Sequence, residues 1–147
     1  MSATEAFFSW LSKISGLLFG SPHPRPYERA CLRAWSETLS DSQREKLQSQ
    51  LELFDIIQRQ ARRTKSVFYS LRDPSYRSWP EAVFFEDRSE ALRMFNGFLR
   101  GNIGDITESV VFTIYTHRGR LFSIEFDSEP GALAGLRSDT ALVAARR

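Results

Sequence analysis

The feature that most constrains the fold is a pair of strand-like segments near the C-terminus, residues 110–116 and 121–126. Both segments are rich in β-branched and aromatic residues, and a short polar segment containing Gly119 separates them. This pattern predicts an antiparallel β-hairpin. A two-residue loop at Arg118-Gly119 would place the bulky side chains of the first strand on the same face as Ser123 and Glu125 of the second.

A three-residue loop, His117-Arg118-Gly119, gathers the bulky side chains instead. It pairs Thr116 with Arg120 and puts Gly119 where such loops need a left-handed residue, beside a bulge. Since strand register follows the buried face, we expect the three-residue loop. The pairs that this register predicts are Ile114 with Phe122, Phe112 with Ile124 and Val110 with Phe126.

Helical signals dominate the first third of the chain. Pro26 suits the first turn of a helix, and apolar side chains then recur with helical spacing. A second capping signal, Ser40 with Gln43 or Ser42 with Glu45, predicts the start of another helix. The inward positions are Tyr27, Ala30, Cys31, Ala34, Trp35 and Thr38 in the first of these helices, and Leu47, Leu51 and Phe54 in the second.

The middle of the chain leaves two alternatives open. Residues 54–60 are the end of a helix or the first strand of a hairpin that turns near residues 61–64. Residues 91–100 are a helix or a hairpin, because Asn96-Gly97 is also a hairpin signal. We expect a helix over residues 88–95, with Gly97 or Gly101 near its end. Two further strands are predicted, at Val67–Leu71 and at Val83–Phe85.

The two ends of the chain differ from its centre. Residues 1–20 form a predicted amphipathic helix, and the proline-rich residues 21–26 form a hinge. The segment carries Glu5 near its start and Lys13 in its middle, so we do not expect a secretory signal. Residues 130–147 are small and lack aromatics, which predicts a flexible or loosely helical tail.

We therefore predict an α+β fold in which N-terminal helices precede an antiparallel sheet of about four strands. A length of 147 residues suits one domain, which we place at residues 27–129. The single Cys31 excludes an internal disulfide framework. No apolar run reaches the ~18–20 residues that span a bilayer, and we expect a cytoplasmic protein.

Charge is unevenly distributed. The net charge is only +2, yet residues 58–77 carry six basic residues against Asp73 alone, a local excess of +5. Cations neutralise phosphates and interleaved aromatic rings can stack on bases, so this stretch is a candidate contact for nucleic acid or another acidic partner. Its basic residues are Arg59, Arg62, Arg63, Lys65, Arg72 and Arg77.

The sequence gives little support for a catalytic site or a metal site. Cys31 lies on a predicted buried helix face, and the only histidines are His23 and His117. Glu125 and Asp127 share one strand face at a spacing that can hold a divalent cation, but such carboxylates are more often the polar side of a sheet. We expect no enzyme activity, no cofactor and no metal.

The leading interpretation is a small non-catalytic interaction protein of an adaptor or immunity type, with a protein partner. A helix rich in Phe, Trp and Leu beyond a proline hinge is typical of a docking element. The alternatives are nucleic-acid binding by residues 58–77 and, less favoured, peripheral membrane association through the helix 1–20. The side chains predicted to contact a partner are Phe7, Trp10, Leu11, Ile14 and Leu18.

Overall fold

The computed structural model describes residues 23–60, 62–137 and 141–147. Two α-helices precede six strands that form one open antiparallel sheet. The α+β prediction is confirmed, and the prediction of about four strands is too low. The helices and strands are α1 Pro26–Ser36, α2 Asp41–Leu53, β1 Ile56–Gln60, β2 Lys65–Tyr69, β3 Leu92–Ile103, β4 Ile106–His117, β5 Arg120–Phe126 and β6 Leu142–Arg146. The strand order in the sheet is β1-β2-β5-β4-β3-β6.

Local capping chemistry explains where the two helices begin. Pro26 occupies the first position of α1, and the backbone N–H of Arg25 donates to Glu28 Oε1 at 2.8 Å. The Ser40–Gln43 capping box is present at the start of α2, with reciprocal side-chain-to-backbone hydrogen bonds of 3.2 Å. Both starts were predicted, the first from Pro26 as a first-turn residue and the second from Ser40 and Gln43, three positions apart.

The helices cover one face of the sheet, which we call the inner face. α1 contacts β3 and β6, and α2 contacts β5. The core between helices and sheet consists of large side chains that are almost fully buried, which is the main source of stability in a domain of this size. These side chains include Tyr27, Trp35, Phe68, Phe112, Ile114, Leu121 and Ile124.

Residues 56–60 settle the first open alternative in favour of a strand. β1 pairs with β2 from Ile56↔Tyr69 to Gln60↔Lys65. Arg62 and Arg63 lie in the turn between them with positive φ angles of 57° and 67°. The β-branched pair Ile56 and Ile57 therefore indicates a strand and not the end of a helix. Their side chains lie on opposite faces of the sheet, and each is buried.

Residues 92–103 correct the predicted helix over residues 88–95. They form β3, in which Phe95, Gly97 and Leu99 alternate towards the inner face and are buried. Phe95 and Leu99, four positions apart, fit a period of two as well as a helical period, and pairing with β4 decides between them. Asn96-Gly97 lies in mid-strand and forms no turn. Gly97 is needed because a Cβ there would lie 2.5 Å from the carbonyl oxygen of Ala145.

The β4–β5 hairpin turns through two residues, so the three-residue loop is wrong. His117 pairs with Arg120 across the turn. Arg118 and Gly119 have φ angles of 51° and 82°, as a type I′ turn requires. A bulge at Phe122 then shifts the register, because Thr116 pairs with Leu121 and the preceding residue pairs with Ser123.

The bulge achieves what the longer loop was expected to do. By adding one residue to β5, it brings the bulky side chains of both strands to the inner face while the tight turn is kept. The predicted pairs Thr116 with Arg120, Ile114 with Phe122, Phe112 with Ile124 and Val110 with Phe126 are therefore wrong. The observed pairs include Ile114↔Ile124 and Phe112↔Phe126.

Two further predictions are corrected. The strand predicted at Val83–Phe85 is absent, and a 3-10 helix over Glu81–Val83 stands there instead. The predicted tail contains the 3-10 helix Gly131–Gly135 and the edge strand β6, which pairs with β3. Leu142 is buried against the sheet, so tertiary pairing orders a segment with few local signals. In the described part of the chain, no helix is long and apolar enough to cross a membrane.

Candidate anion-binding site

The predicted basic stretch does not form one surface. Arg59 points to the inner face, where its Nε donates to Glu28 Oε2 at 3.1 Å and its Nη2 lies 2.5 Å from Oε1. The Arg59 and Glu28 side chains are 7% and 0% exposed. Arg59 is therefore a structural residue, and its predicted role as a partner contact is wrong.

The other basic residues of the stretch are separated by the sheet. Lys65 forms an ion pair of 3.1 Å with Glu125. Arg62 and Arg63 are exposed at the turn before β2, whereas Arg72 and Arg77 are exposed in the loop after it. β2 has five residues, which separate the two groups by roughly 16 Å of extended chain. No continuous basic track results.

Arg77 instead joins cationic side chains from a distant part of the sequence. The loop after β2 and the β4–β5 turn enclose a cavity of about 410 Å³. We call this cavity the cationic pocket. Its lining residues are Pro74, Ser75, Tyr76, Arg77, His117, Arg118 and Arg120.

The β4–β5 turn is held rigidly on one side of the cationic pocket. Buried Gln50 of α2 donates from Nε2 to the carbonyl oxygen of Gly119 at 3.0 Å and accepts from Leu121 N–H at 2.8 Å. The Arg118 N–H donates to the Ser89 carbonyl at 2.9 Å. A Cβ at Gly119 would lie 2.7 Å from the carbonyl oxygen of Phe85, so the turn packs too closely for any other residue.

The opposite wall is a loop organised by Asp73. Asp73 Oδ2 accepts from the Ser78 N–H at 2.6 Å and from the Ser78 hydroxyl at 2.7 Å. Asp73 Oδ1 accepts from Ser75 at 2.9 Å. These hydrogen bonds, those from Ser78 foremost, lower the pKa of the Asp73 carboxyl. The loop holds Tyr76 at a φ of 59°, an unusual conformation for a bulky residue.

Arg120 is the most deeply buried of the arginines that line the cationic pocket. Its guanidinium lies 3.8 Å from the ring centroid of Tyr76, a cation–π contact. Its Nη1 is buried and has no hydrogen-bond partner among the residues that the structure describes. Burial lowers the pKa of this guanidinium. An arginine still stays protonated at neutral pH, so the pocket contains a partly buried cation whose donor group is unsatisfied.

Besides Asp73 in the opposite wall, a second carboxylate lies at the rim of the pocket. Glu90 Oε1 lies 3.0 Å from Arg118 Nη2, and both side chains are largely exposed. The Glu90 backbone carbonyl also contacts His117 Nδ1. The hydrogen bond from Arg118 lowers the pKa of the Glu90 carboxyl. Within the described residues, Arg77 and Arg120 form no ion pair, so the pocket keeps an excess of positive charge.

Aromatic side chains lie beside the pocket on the outer face of the sheet, the face turned away from the helices. Phe122 contacts the His117 ring, with 5.6 Å between ring centroids. Lys65 Nζ lies 5.6 Å from the Phe122 ring centroid. Tyr69 shares this face with Lys65 because the two are four positions apart on β2. The pocket therefore opens next to a partly apolar surface.

The other residues considered for a site have structural roles or lie elsewhere. Glu125 is paired with Lys65, and Asp127 Oδ1 accepts from the Val111 N–H at 3.1 Å. The described residues contain no group of three or more ligand side chains that could hold a metal ion. Cys31 is fully buried, and burial raises the pKa of its thiol. The predicted partner contacts Phe7, Trp10, Leu11, Ile14 and Leu18 lie outside the described residues and stay predictions.

Sequence reasoning missed Arg118 and Arg120 as functional candidates. The available signal was two arginines flanking Gly119 in a hairpin loop, since loop residues on a rigid scaffold often carry function. Arg77 was included among the candidates, but for membership of a basic stretch that the fold divides. Comparisons with protein-family models, curated proteins and solved structures found no match.

Proposed function

We propose that this chain is a non-catalytic binding protein whose cationic pocket holds an acidic group of a protein partner. The observation that carries the proposal is that Arg77, Arg118 and Arg120, which come from two separate loops, line one cavity. Guanidinium groups bind carboxylates through paired hydrogen bonds and do not exchange protons near neutral pH. The chemistry of the pocket therefore suits recognition rather than catalysis.

The position of the pocket supports binding at an exposed edge. Arg77 and Arg118 are exposed, whereas Arg120 is half-buried behind them. An incoming carboxylate would meet the exposed arginines first and the fixed guanidinium of Arg120 last. Because Gln50 and Asp73 hold the two walls, the site requires little reorganisation, which reduces the entropy cost of association.

A titration with short peptides tests this function. The full chain is titrated by calorimetry with a Glu-rich blocked peptide and with its Gln-substituted counterpart. We expect the acidic peptide to bind and the double variant Arg77→Gln/Arg118→Gln to lose at least about tenfold in affinity, since a charged hydrogen bond contributes about 1.5–3 kcal/mol.

The matched control is Arg62→Gln/Arg63→Gln, which removes the same charge from the distant β1–β2 turn. We expect this control to retain affinity within about twofold at ~0.15 M ionic strength, where distant exposed charges are screened. Equal losses in both double variants would show that net charge, and not the pocket, attracts the peptide. The absence of any binding would overturn the proposal.

Nucleic-acid binding is the second candidate, and the outer-face aromatics favour it. Tyr69 and Phe122 lie beside the cationic pocket on one face of an antiparallel sheet, an arrangement on which bases can stack. Under this alternative, Phe122→Leu weakens binding of a single-stranded oligonucleotide. The Arg77→Gln/Arg118→Gln variant flattens its salt dependence by about 0.7 logarithmic units for each phosphate that the protein no longer neutralises. Fluorescence anisotropy at several salt concentrations measures both effects.

A further inference from the structure

We propose that the cationic pocket selects a phosphate monoester, carried by a phosphorylated side chain of a protein partner, over a carboxylate. This inference rests on the proposed function and names the acidic group that the site prefers. It follows from the number, placement and hydrogen-bonding state of the cations in the pocket.

The first step concerns charge. Arg118 has a carboxylate partner in Glu90, whereas Arg77 and Arg120 have none among the residues that the structure describes. A carboxylate brings one negative charge and two acceptor oxygens. A phosphate monoester brings a charge of about −1.5 to −2 and three strong acceptor oxygens. The two arginines without ion pairs match the charge of the monoester better than that of a carboxylate.

The second step concerns Arg120. The guanidinium carbon of Arg120 lies 3.8 Å from the ring centroid of Tyr76, and the donors of a guanidinium point along its plane. Nη1 has no acceptor among the residues that the structure describes and is closed to solvent, so it does not itself contact a ligand. Arg120 nevertheless lines the cavity together with Arg77 and Arg118. A phosphate monoester offers three acceptor oxygens to these three arginines, whereas a carboxylate offers two.

The third step concerns space. The cavity of about 410 Å³ lies within the range of ordinary small-ligand pockets, ~300–1,000 Å³. It therefore admits a phosphate group together with part of the side chain that carries it. The rigid turn at Gly119 and the loop braced by Asp73 set the width of the cavity before the ligand arrives.

The same observations favour a phosphorylated protein over a nucleic acid. A nucleic-acid backbone carries its charge as a line of monoanions and is followed by a line of cations. Here the predicted line is interrupted, because Arg59 and Lys65 are paired with carboxylates. Arg77 and Arg120, which form no ion pair within the described ranges, instead line one cavity, and this suits one concentrated charge.

The test compares blocked tripeptides that differ only in the central residue: phosphoserine, glutamate or serine. Each is titrated into the full chain at constant ionic strength, and backbone amide shifts at Arg118 and Gly119 locate the binding. We expect the phosphoserine peptide to bind at least about tenfold more tightly than the glutamate peptide, and the serine peptide to show no binding. Inorganic phosphate is expected to shift the same amides and to compete with the phosphoserine peptide.

Three variants separate specific recognition from loss of folding. Arg77→Gln removes one cation from the rim, and Arg120→Lys keeps the charge while removing the planar fork. Both are expected to lower the phosphoserine preference to less than threefold. The control Arg63→Gln retains the preference, and all variants keep the wild-type thermal midpoint within the error of circular dichroism. Retention of the full preference in Arg120→Lys overturns the assignment of the site to this guanidinium.

Three outcomes overturn the phosphate assignment in different ways. Equal affinity for the phosphoserine and glutamate peptides rejects phosphate selection but leaves the acidic-partner function intact. The absence of binding by either peptide rejects both. The third outcome is displacement of the phosphoserine peptide by a single-stranded oligonucleotide that lacks a terminal phosphate. If the oligonucleotide displaces the peptide at a lower concentration than inorganic phosphate does, the pocket binds nucleic acid and the proposal is overturned.

Discussion

Replacing Arg59 by alanine should destabilise the fold strongly, because it leaves the Glu28 carboxylate buried without its counter-charge. Glu28 is fully buried. Its two oxygens face the Arg59 guanidinium, and Oε1 also accepts from the Arg25 N–H. Arg59 additionally donates to the carbonyl oxygens of Ile57 and His23, at 3.4 Å and 3.3 Å. The side chain thus joins β1 to the start of α1.

The magnitude follows from the burial of both partners. Removing one partner of a buried ion pair costs about 3–5 kcal/mol, much of it because the remaining charge stays desolvated. At about 2–4 °C per kcal/mol for a chain of this size, the midpoint of thermal unfolding should fall by roughly 6–20 °C. Urea unfolding followed by circular dichroism at pH 7 measures the free energy directly.

Two comparisons make the result interpretable. Arg62→Ala removes an exposed arginine from the same hairpin and should change stability by no more than about 0.5 kcal/mol. The double variant Arg59→Met/Glu28→Leu removes both charges and should be more stable than Arg59→Ala alone. A loss below about 1 kcal/mol in Arg59→Ala would refute the assignment of Arg59 to a buried structural pair.

Three further changes test the packing that surrounds the site. Gly97→Ala should destabilise the fold by about 1–3 kcal/mol, because the added Cβ would lie 2.5 Å from the Ala145 carbonyl oxygen. Gly135→Ala is the control and should not destabilise the fold, because its added Cβ meets nothing within 4 Å. Urea unfolding compares the two variants. Gln50→Leu should cost about 3 kcal/mol, because it leaves the Leu121 N–H and the Val83 carbonyl without their side-chain partner and removes one of two donors to the Gly119 carbonyl. It should also weaken peptide binding to the cationic pocket in the calorimetric titration. Deletion of residues 142–147 should lower the thermal midpoint, because it exposes the edge of β3 and removes the buried Leu142, worth about 1.5–3 kcal/mol; an unchanged midpoint would show that β6 adds nothing to the fold.

The β4–β5 hairpin shows how far pattern reasoning reaches. The two strands and the need to gather their bulky side chains on one face were predicted correctly. The predicted loop length was wrong. A two-residue turn at Arg118-Gly119 and a bulge at Phe122 together bring these side chains to one face, which the three-residue loop was expected to do. Either solution satisfies the local pattern, and the choice depends on how the turn fits against Gln50 and Phe85, which are distant in sequence.

β3 shows a different limit. Apolar residues at 91, 92, 95, 98 and 99 satisfy a helical period, and residues 95, 97 and 99 satisfy a strand period only if Gly97 counts as an inward position. Gly97 offers no side chain to signal burial, yet it is buried because the neighbouring strand lies against it. Local propensity is weak evidence for helix or strand where a neighbouring strand can pair with the segment. Here the pairing with its neighbours makes residues 92–103 a strand.

The sequence by itself determined the features that depend on neighbours a few positions apart: the Pro26 and Ser40 helix starts, the two hairpin strands and the α+β order of elements. Only the tertiary structure decided which charges are available for binding. It buries Arg59 with Glu28, pairs Lys65 with Glu125, and brings Arg77 to a cavity lined by arginines from a later turn. The physical reason is that a charged side chain is neutralised, or left without a partner, by the groups that lie near it in space. Residues that are far apart in the sequence can be such neighbours.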